Sequence, residues 1–177
     1  ADKVIAAGKS ACSPLADSMY PYMIRTNDYR RLIRYSLLGF LCLSLFAALF
    51  AVFAEPLCAV LFGAGYEDAV PMLRAMLPLI PISFLSYMFG FPALTPLGKK
   101  GFANTSVTLG ALTQIVFLVL LYVVGAMSVL NICFAAVATE TIVAVSRMAV
   151  FCVALHRMGR TDRAELEPKV SGDCDKR

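Results

Sequence analysis

The sequence predicts an all-α protein, a polytopic bundle of transmembrane helices, and three observations carry that reading. Of its 177 residues, 59% are hydrophobic and only 16% charged, against about 25% charged in an average soluble domain. The mean hydropathy is +0.74. The charges are also unevenly spread: none falls between Arg34 and Glu55, between Arg74 and Lys99, or between Lys100 and Glu140. An uncharged apolar run of about 18 residues is long enough to cross the hydrocarbon core. So few charges cannot cover an aqueous surface, which excludes an ordinary soluble enzyme.

Five membrane segments follow, each near the ~20 residues that a helix rising 1.5 Å per residue uses to cross. The first, residues 4–24, is interrupted by Lys9, Pro14, Asp17 and Pro21. The second is 35–54. The third, 72–94, holds Pro78, Pro81, Gly90 and Pro92, with Pro96 just beyond. Proline removes a backbone donor and bends a helix, so this segment should be kinked. The last apolar block is too long for one crossing. Gly125, Ser128 and Asn131 supply a turn that divides it into 102–124 and 129–155.

The connections test this count. Arg25, Arg30, Arg31 and Arg34 follow the first segment, and Glu55, Glu67 and Asp68 follow the second. Lys99 and Lys100 follow the third, no charge follows the fourth, and Arg157, Arg160, Arg163 and Lys169 follow the fifth. Basic and non-basic connections alternate, as the positive-inside rule expects of five crossings that start outside and end in the cytoplasm. Residues 1–155 then form the bundle and 156–177 a cytoplasmic tail. The tail's mixed charge predicts a solvated segment without regular structure, its basic half open to attraction by anionic headgroups. The chain opens on Ala1 with no basic stretch ahead of an apolar core, so it does not read as a signal peptide. The expectation is a piece of a longer membrane protein.

Soluble-site signatures are missing. The sequence has no GxxxxGK[ST] phosphate loop. Its six cysteines are scattered without a CxxC pair, and read as helix-packing residues rather than a disulfide framework or metal site. The lone His156 ends the last helix and has no catalytic partner set. Phe62-Gly63-Ala64-Gly65-Tyr66 contains GxG without a strand before it, and reads as a tight interfacial turn with an aromatic anchor. No catalytic residue, metal or cofactor is expected.

What remains is a small set of ionisable residues inside apolar helices, where a charge costs about 2.5–3.5 kcal/mol on insertion scales and tends to face a cavity. Lys9 and Asp17 lie on faces about 80° apart by helical periodicity, and the two could neutralise each other. Glu140 lies near the middle of the last helix, with Arg147 two turns later on the same face. Glu140 is too deep to reach the interface, so it faces a cavity or forms an interhelical ion pair. Arg147 can snorkel towards the cytoplasm, and Arg74 reads either as an anchor at the outer boundary or as a ligand contact.

Several residues then match a family. Ala1-Asp2-Lys3-Val4, Ala7-Gly8-Lys9-Ser10, Ser13-Pro14-Leu15 and Tyr20-Pro21-Tyr22 resemble the eighth helix of Wzx-type polysaccharide (O-antigen) flippases. Ala54-Glu55-Pro56-Leu57, with Leu61-Phe62-Gly63 and Tyr66, resembles the outer loop after their ninth helix. Leu73-Arg74-Ala75-Met76, Gly90-Phe91-Pro92 and Pro96-Leu97-Gly98 resemble their tenth. The similarity runs in order over residues 1–104; the last two helices fit by hydropathy more than by motif.

The resemblance implies the last five helices of a twelve-helix exporter in the bacterial inner membrane, of the multidrug/oligosaccharidyl-lipid/polysaccharide superfamily. Its substrate would be an undecaprenyl-pyrophosphate-linked oligosaccharide, moved from the cytoplasmic to the periplasmic leaflet for O-antigen and surface polysaccharide synthesis. H+ or Na+ would be the coupling ion. A polysaccharide polymerase, glycosyltransferases and membrane lipids would be partners, and nucleic acid would not. On charge and depth, Lys9, Arg74 and Arg147 are the candidate cations of the substrate path, and Asp17 and Glu140 the candidate ion-coupling carboxylates. Competing readings are a cation-coupled multidrug exporter or a lipid II flippase of the same superfamily, and, from another class, a membrane assembly subunit that transports nothing.

Overall fold

The computed structural model describes residues 2–62 and 69–171. Among them every regular element is a helix: α1 (Asp2–Thr26), α2 (Tyr29–Val52), α3 (Ala54–Phe62), α4 (Ala69–Met76), α5 (Leu79–Met88), α6 (Phe91–Leu94), α7 (Lys100–Val123) and α8 (Val129–Ser171). Four spans are long and apolar enough to cross a membrane: Tyr29–Val52, Val70–Leu94, Lys100–Val123 and Val129–Met158. The described residues are thus all-helical with four such spans, which fits a membrane protein. The first of the five expected segments is a helix of sufficient length, but its composition keeps it out of that set. Lys3, Lys9, Asp17 and two prolines dilute its apolar character.

α1 buries Ile5, Ala16 and Met23. These are spaced by 11 and 7 residues, close to whole turns, and form one stripe against α5 and α6. Asn27 takes the left-handed conformation at φ 50° and ends the helix, its N–H bonding to the Met23 carbonyl. Asp28 then caps α2 by accepting from the Arg31 N–H at 3.2 Å. This turn starts α2 six residues earlier than hydropathy alone suggests, so Arg30, Arg31 and Arg34 belong to its first turns rather than to a loop.

The central span is broken, as its prolines predict. α4 stops at Met76, Pro78 precedes α5, and Phe89–Gly90 separates α5 from the short α6, where Pro92 sits in a first turn that has no use for its missing N–H. α5 is buried on all sides, with Leu79, Ile80, Ser83, Phe84, Ser86 and Met88 inside. In all, 72% of the apolar window of this span is buried, against 11% in α2 and α7. α5 is thus the axis, with α1, α2 and α8 packed around it. α2 approaches through Gly39, where an added Cβ would stand 2.5 Å from the Phe84 ring.

α7 meets α8 through Ala103, Ser106 and Gly110, a stripe of small residues that lets the two backbones come close. The expected turn at Gly125 is present: Gly125 has φ 71°, its N–H bonds to the Tyr122 carbonyl, and the Ala126 N–H reaches back to Leu121. This paired arrangement closes a helix with glycine in the left-handed position. Asn131 secures the turn through its Nδ2, which donates to the Ala126 carbonyl at 2.8 Å.

Two expectations need correction. The connection after α2, expected as an outer loop, is not all loop, because α3 folds there with Ala54 and Cys58 buried; the GxG turn at 63–66 lies outside the described residues. The tail also continues α8 to Ser171 where no regular structure was expected. Extending an existing helix avoids the nucleation cost, and the Arg, Ala, Glu and Leu residues of 160–167 are good helix formers.

Candidate functional site

The site forms where α1, α5, α7 and α8 converge. An open cavity of about 620 Å³ is lined there by Ile5 and Lys9 of α1, Ser86 and Tyr87 of α5, Gly110 and Gln114 of α7, and Thr139, Glu140 and Arg147 of α8. The stripe on α1 explains Lys9: it lies one turn beyond Ile5, on the edge of the buried face. The 140–147 spacing on α8 places Glu140 and Arg147 on the same wall.

Lys9 and Glu140 form an ion pair, Nζ to Oε1 at 3.8 Å, with side chains 30% and 23% exposed. The contact is long for a charge-assisted hydrogen bond, which closes to about 2.7–2.9 Å. It is an attraction across accessible space rather than a locked bridge. Lys9 pairs across the bundle with Glu140, not along its own helix with Asp17.

Arg147 is held quite differently. Its residue is 6% exposed, and its guanidinium makes four hydrogen bonds. Nε donates to Ser106 Oγ at 2.7 Å, Nη1 to the Ser86 carbonyl at 2.7 Å and to Ser86 Oγ at 3.0 Å, and Nη2 to the Ala103 carbonyl at 3.4 Å. The Ser86 carbonyl belongs to the last turn of α5, where the break at Gly90 removes its normal helical partner. Arg147 thus caps the broken helix and ties α8 to α5 and α7. Gly90 makes room for it, since a Cβ there would come within 3.2 Å of Nη1.

A second open cavity of about 620 Å³ lies on the other side of the same wall. Ser13, Asp17 and Tyr20 of α1 line it together with Tyr87, Phe91 and Arg147. Asp17 and Glu140 therefore line different cavities, which share Tyr87, Val107 and Arg147.

Arg74 and Arg147 are both held by protein acceptors. Arg74 reaches neither cavity: its Nε donates to the Ala51 carbonyl at 3.0 Å and its Nη2 to Glu55 Oε1 at 3.1 Å. It closes the carbonyl end of α2, a common post for arginine. Arg147 lines both cavities but its donors are largely committed to protein acceptors, so it builds the wall instead of offering an open charge. Lys9 and Glu140 line the first cavity, and Asp17 the second.

Ionisable residues alone gave an incomplete site. Ser86 and Ser106 complete the Arg147 cage, and Thr139 donates from Oγ1 to Gln114 Oε1 at 2.7 Å, joining α8 to α7 beside Glu140. The signal for them was uncharged polarity inside apolar helices, which is costly unless paired. No group of His, Cys, Asp and Glu suited to a metal occurs among the described residues. Compared with known protein families, curated proteins and solved structures, the chain matches none.

Proposed function

We propose that this chain is the part of a membrane transporter that carries one wall of its substrate path, and that the substrate is a lipid-linked oligosaccharide with an anionic diphosphate head. The observation that carries the reading is the Lys9–Glu140 pair, loose and accessible on an open cavity inside otherwise apolar helices. Charges kept in such a position are costly unless water or a polar solute occupies the space. A diphosphate and its sugars cannot cross ~30 Å of hydrocarbon unaided, while a polyprenyl tail can stay in lipid beside the exposed apolar faces of α2 and α7.

The broken α4–α5–α6 span supports alternating access, since discontinuous helices at a cavity are the usual hinges of transporters. On this reading α1, with its prolines and charges, is the fifth crossing. It can span as part of a bundle because Lys9, Ser13, Asp17 and Tyr20 line the cavities. The chain then supplies helices eight to twelve of a twelve-helix flippase in the bacterial inner membrane, its C-terminus cytoplasmic, with Glu140 or Asp17 coupling transport to H+ or Na+. No step of this is an enzymatic reaction. The feature that favours a multidrug exporter is Asp17 among Tyr20, Tyr87 and Phe91, a surround that also suits a lipophilic cation.

The test is surface polysaccharide in cells that depend on the native protein. Lys9→Met and Glu140→Gln should each abolish it while the protein remains inserted at normal level; unchanged polysaccharide in both would remove the flippase reading. If cells instead lose resistance to tetraphenylphosphonium on Asp17→Asn, the exporter reading takes its place. Orientation is read separately. A cysteine at Val60, 84% exposed on α3, should label from the periplasm, and one at Met158 only from the cytoplasm.

A further inference from the structure

Resting on the reading of this cavity as a path for an anionic head, we infer that the Lys9–Glu140 pair is a partner-exchange site. A tetrahedral oxyanion entering the cavity takes Lys9 from Glu140, and the released Glu140 carboxylate takes up a proton from water. Three features of the cavity lead there.

First, Lys9 is the cation in a position to change partners. The other cation on this wall, Arg147, is fixed by Ser86, Ser106 and the Ala103 carbonyl. Lys9 is held by one contact at 3.8 Å and is 30% exposed, so an incoming anion can reach its ammonium without breaking packing. Second, a further donor stands beside it. Thr139 commits the Gln114 carbonyl oxygen at 2.7 Å, which leaves the amide N–H2 of a cavity-lining side chain to donate to an oxyanion. Third, the carboxylate left behind loses its one ion-pair partner. Arg147 still acts on it electrostatically, but four hydrogen bonds hold that guanidinium to Ser86, Ser106 and Ala103; Arg74, on α4 packed against α8, is tied to Glu55.

The surrounding charges fix the sign of the effect. The cavity holds Lys9 from α1, Tyr87 from α5, the neutral Gln114 from α7, and Arg147 on the same helix as Glu140. Asp17 of α1 lines the second cavity. Lysine, tyrosine and arginine do not ordinarily titrate between pH 5 and 8. A carboxylate that loses a cationic neighbour and gains an anionic one binds a proton more readily. Linkage is reciprocal, so protonating Glu140 must strengthen anion binding by the same factor that anion binding strengthens protonation. The anion therefore binds more tightly as pH falls, by up to about tenfold per pH unit where one proton accompanies each anion. A diphosphate loaded with a single proton still carries net negative charge. Its outward passage would then be favoured by the membrane potential rather than by the pH gradient.

Sulfate is the suitable probe, because it is a tetrahedral dianion that does not itself titrate between pH 5 and 8. Calorimetric titration of sulfate into the purified protein, in two buffers of different ionisation enthalpy, should show binding with uptake of about one proton and affinity rising as pH falls. Glu140→Gln should bind sulfate with neither proton uptake nor pH dependence. Lys9→Met should not bind it, and Lys9→Arg, which restores the cation, should. Sulfate binding by the parent protein without proton uptake, uptake that persists in Glu140→Gln, binding that persists in Lys9→Met, or no binding at all would each overturn the exchange. Polysaccharide export is read independently. Export lost in Lys9→Met and Glu140→Gln, with no sulfate-linked proton uptake by the parent protein, rejects the exchange and leaves the flippase reading standing; linked uptake by the parent with normal export in both variants does the reverse.

Discussion

Arg147 and Lys9 are both cations inside the same bundle, facing the same cavity, yet the protein treats them in opposite ways. Arg147 is enclosed by four hydrogen bonds to α5 and α7, while Lys9 has one long ion-pair contact across open space. The planar guanidinium suits the first task, because its fixed fork can hold four acceptors on two helices at once. The ammonium suits the second, being a flexible point charge on a long stem. The difference teaches that depth and charge do not by themselves mark a functional residue; what matters is whether its bonding capacity is already filled.

The largest effect should come from emptying the Arg147 cage. Arg147→Met leaves Ser86, Ser106 and the freed Ser86 carbonyl without their donor, and unpaired buried groups cost about 1–3 kcal/mol each. We expect a loss of roughly 3 kcal/mol or more, seen as a large drop in the thermal unfolding temperature of the purified protein. Arg147→Lys should rescue little of it, since one ammonium cannot span the same acceptors. Full rescue by lysine would show that charge alone, and not the fork, is what the site uses.

Next in size is the packing that makes the cage possible. Gly39→Ala pushes a methyl group against the buried Phe84 ring, and overpacking of this kind costs about 1–3 kcal/mol. Gly90→Ala presses on Arg147 Nη1 and the Ser86 carbonyl and should cost about 1 kcal/mol or slightly more. Both are read from the same melting curves. An unchanged melting temperature for Gly39→Ala would mean that α2 is free to move away from α5.

Smaller still is Arg74→Ala. Its partner Glu55 is 70% exposed on the side chain, and exposed ion pairs contribute about 0–1 kcal/mol. Loss of the Ala51 cap adds little, so the protein should unfold within a few degrees of the parent and export normally. A strong export defect would return Arg74 to the substrate path.

Much of the architecture was legible because it follows from local chemistry. The Gly125 turn, the kinks at Pro78 and near Pro92, and the apolar spans each depend on residues within one or two turns. The break at Gly90 could be read from its glycine, but its capping by Arg147 joins residues far apart in sequence, and no spacing rule links them. The same holds for Lys9 and Glu140. Periodicity placed each on a face of its own helix, but which helix faces which is set by the α5 axis and by the small-residue stripe of α7. The helix α3 was hidden because its apolar run is too short to distinguish from an interfacial loop, and the serines of the cage because a lone serine in a membrane helix carries little signal.

The central claim is that Lys9 and Glu140 are held for exchange and Arg147 for structure. The most direct measurement is thermal unfolding and polysaccharide export determined on the same preparations of Glu140→Gln. The account predicts an unfolding temperature within about 2 °C of the parent, as expected for removal of a part-exposed pair worth under about 1 kcal/mol, together with loss of export. Export that persists, or that fails only in step with a collapse in stability, would contradict it.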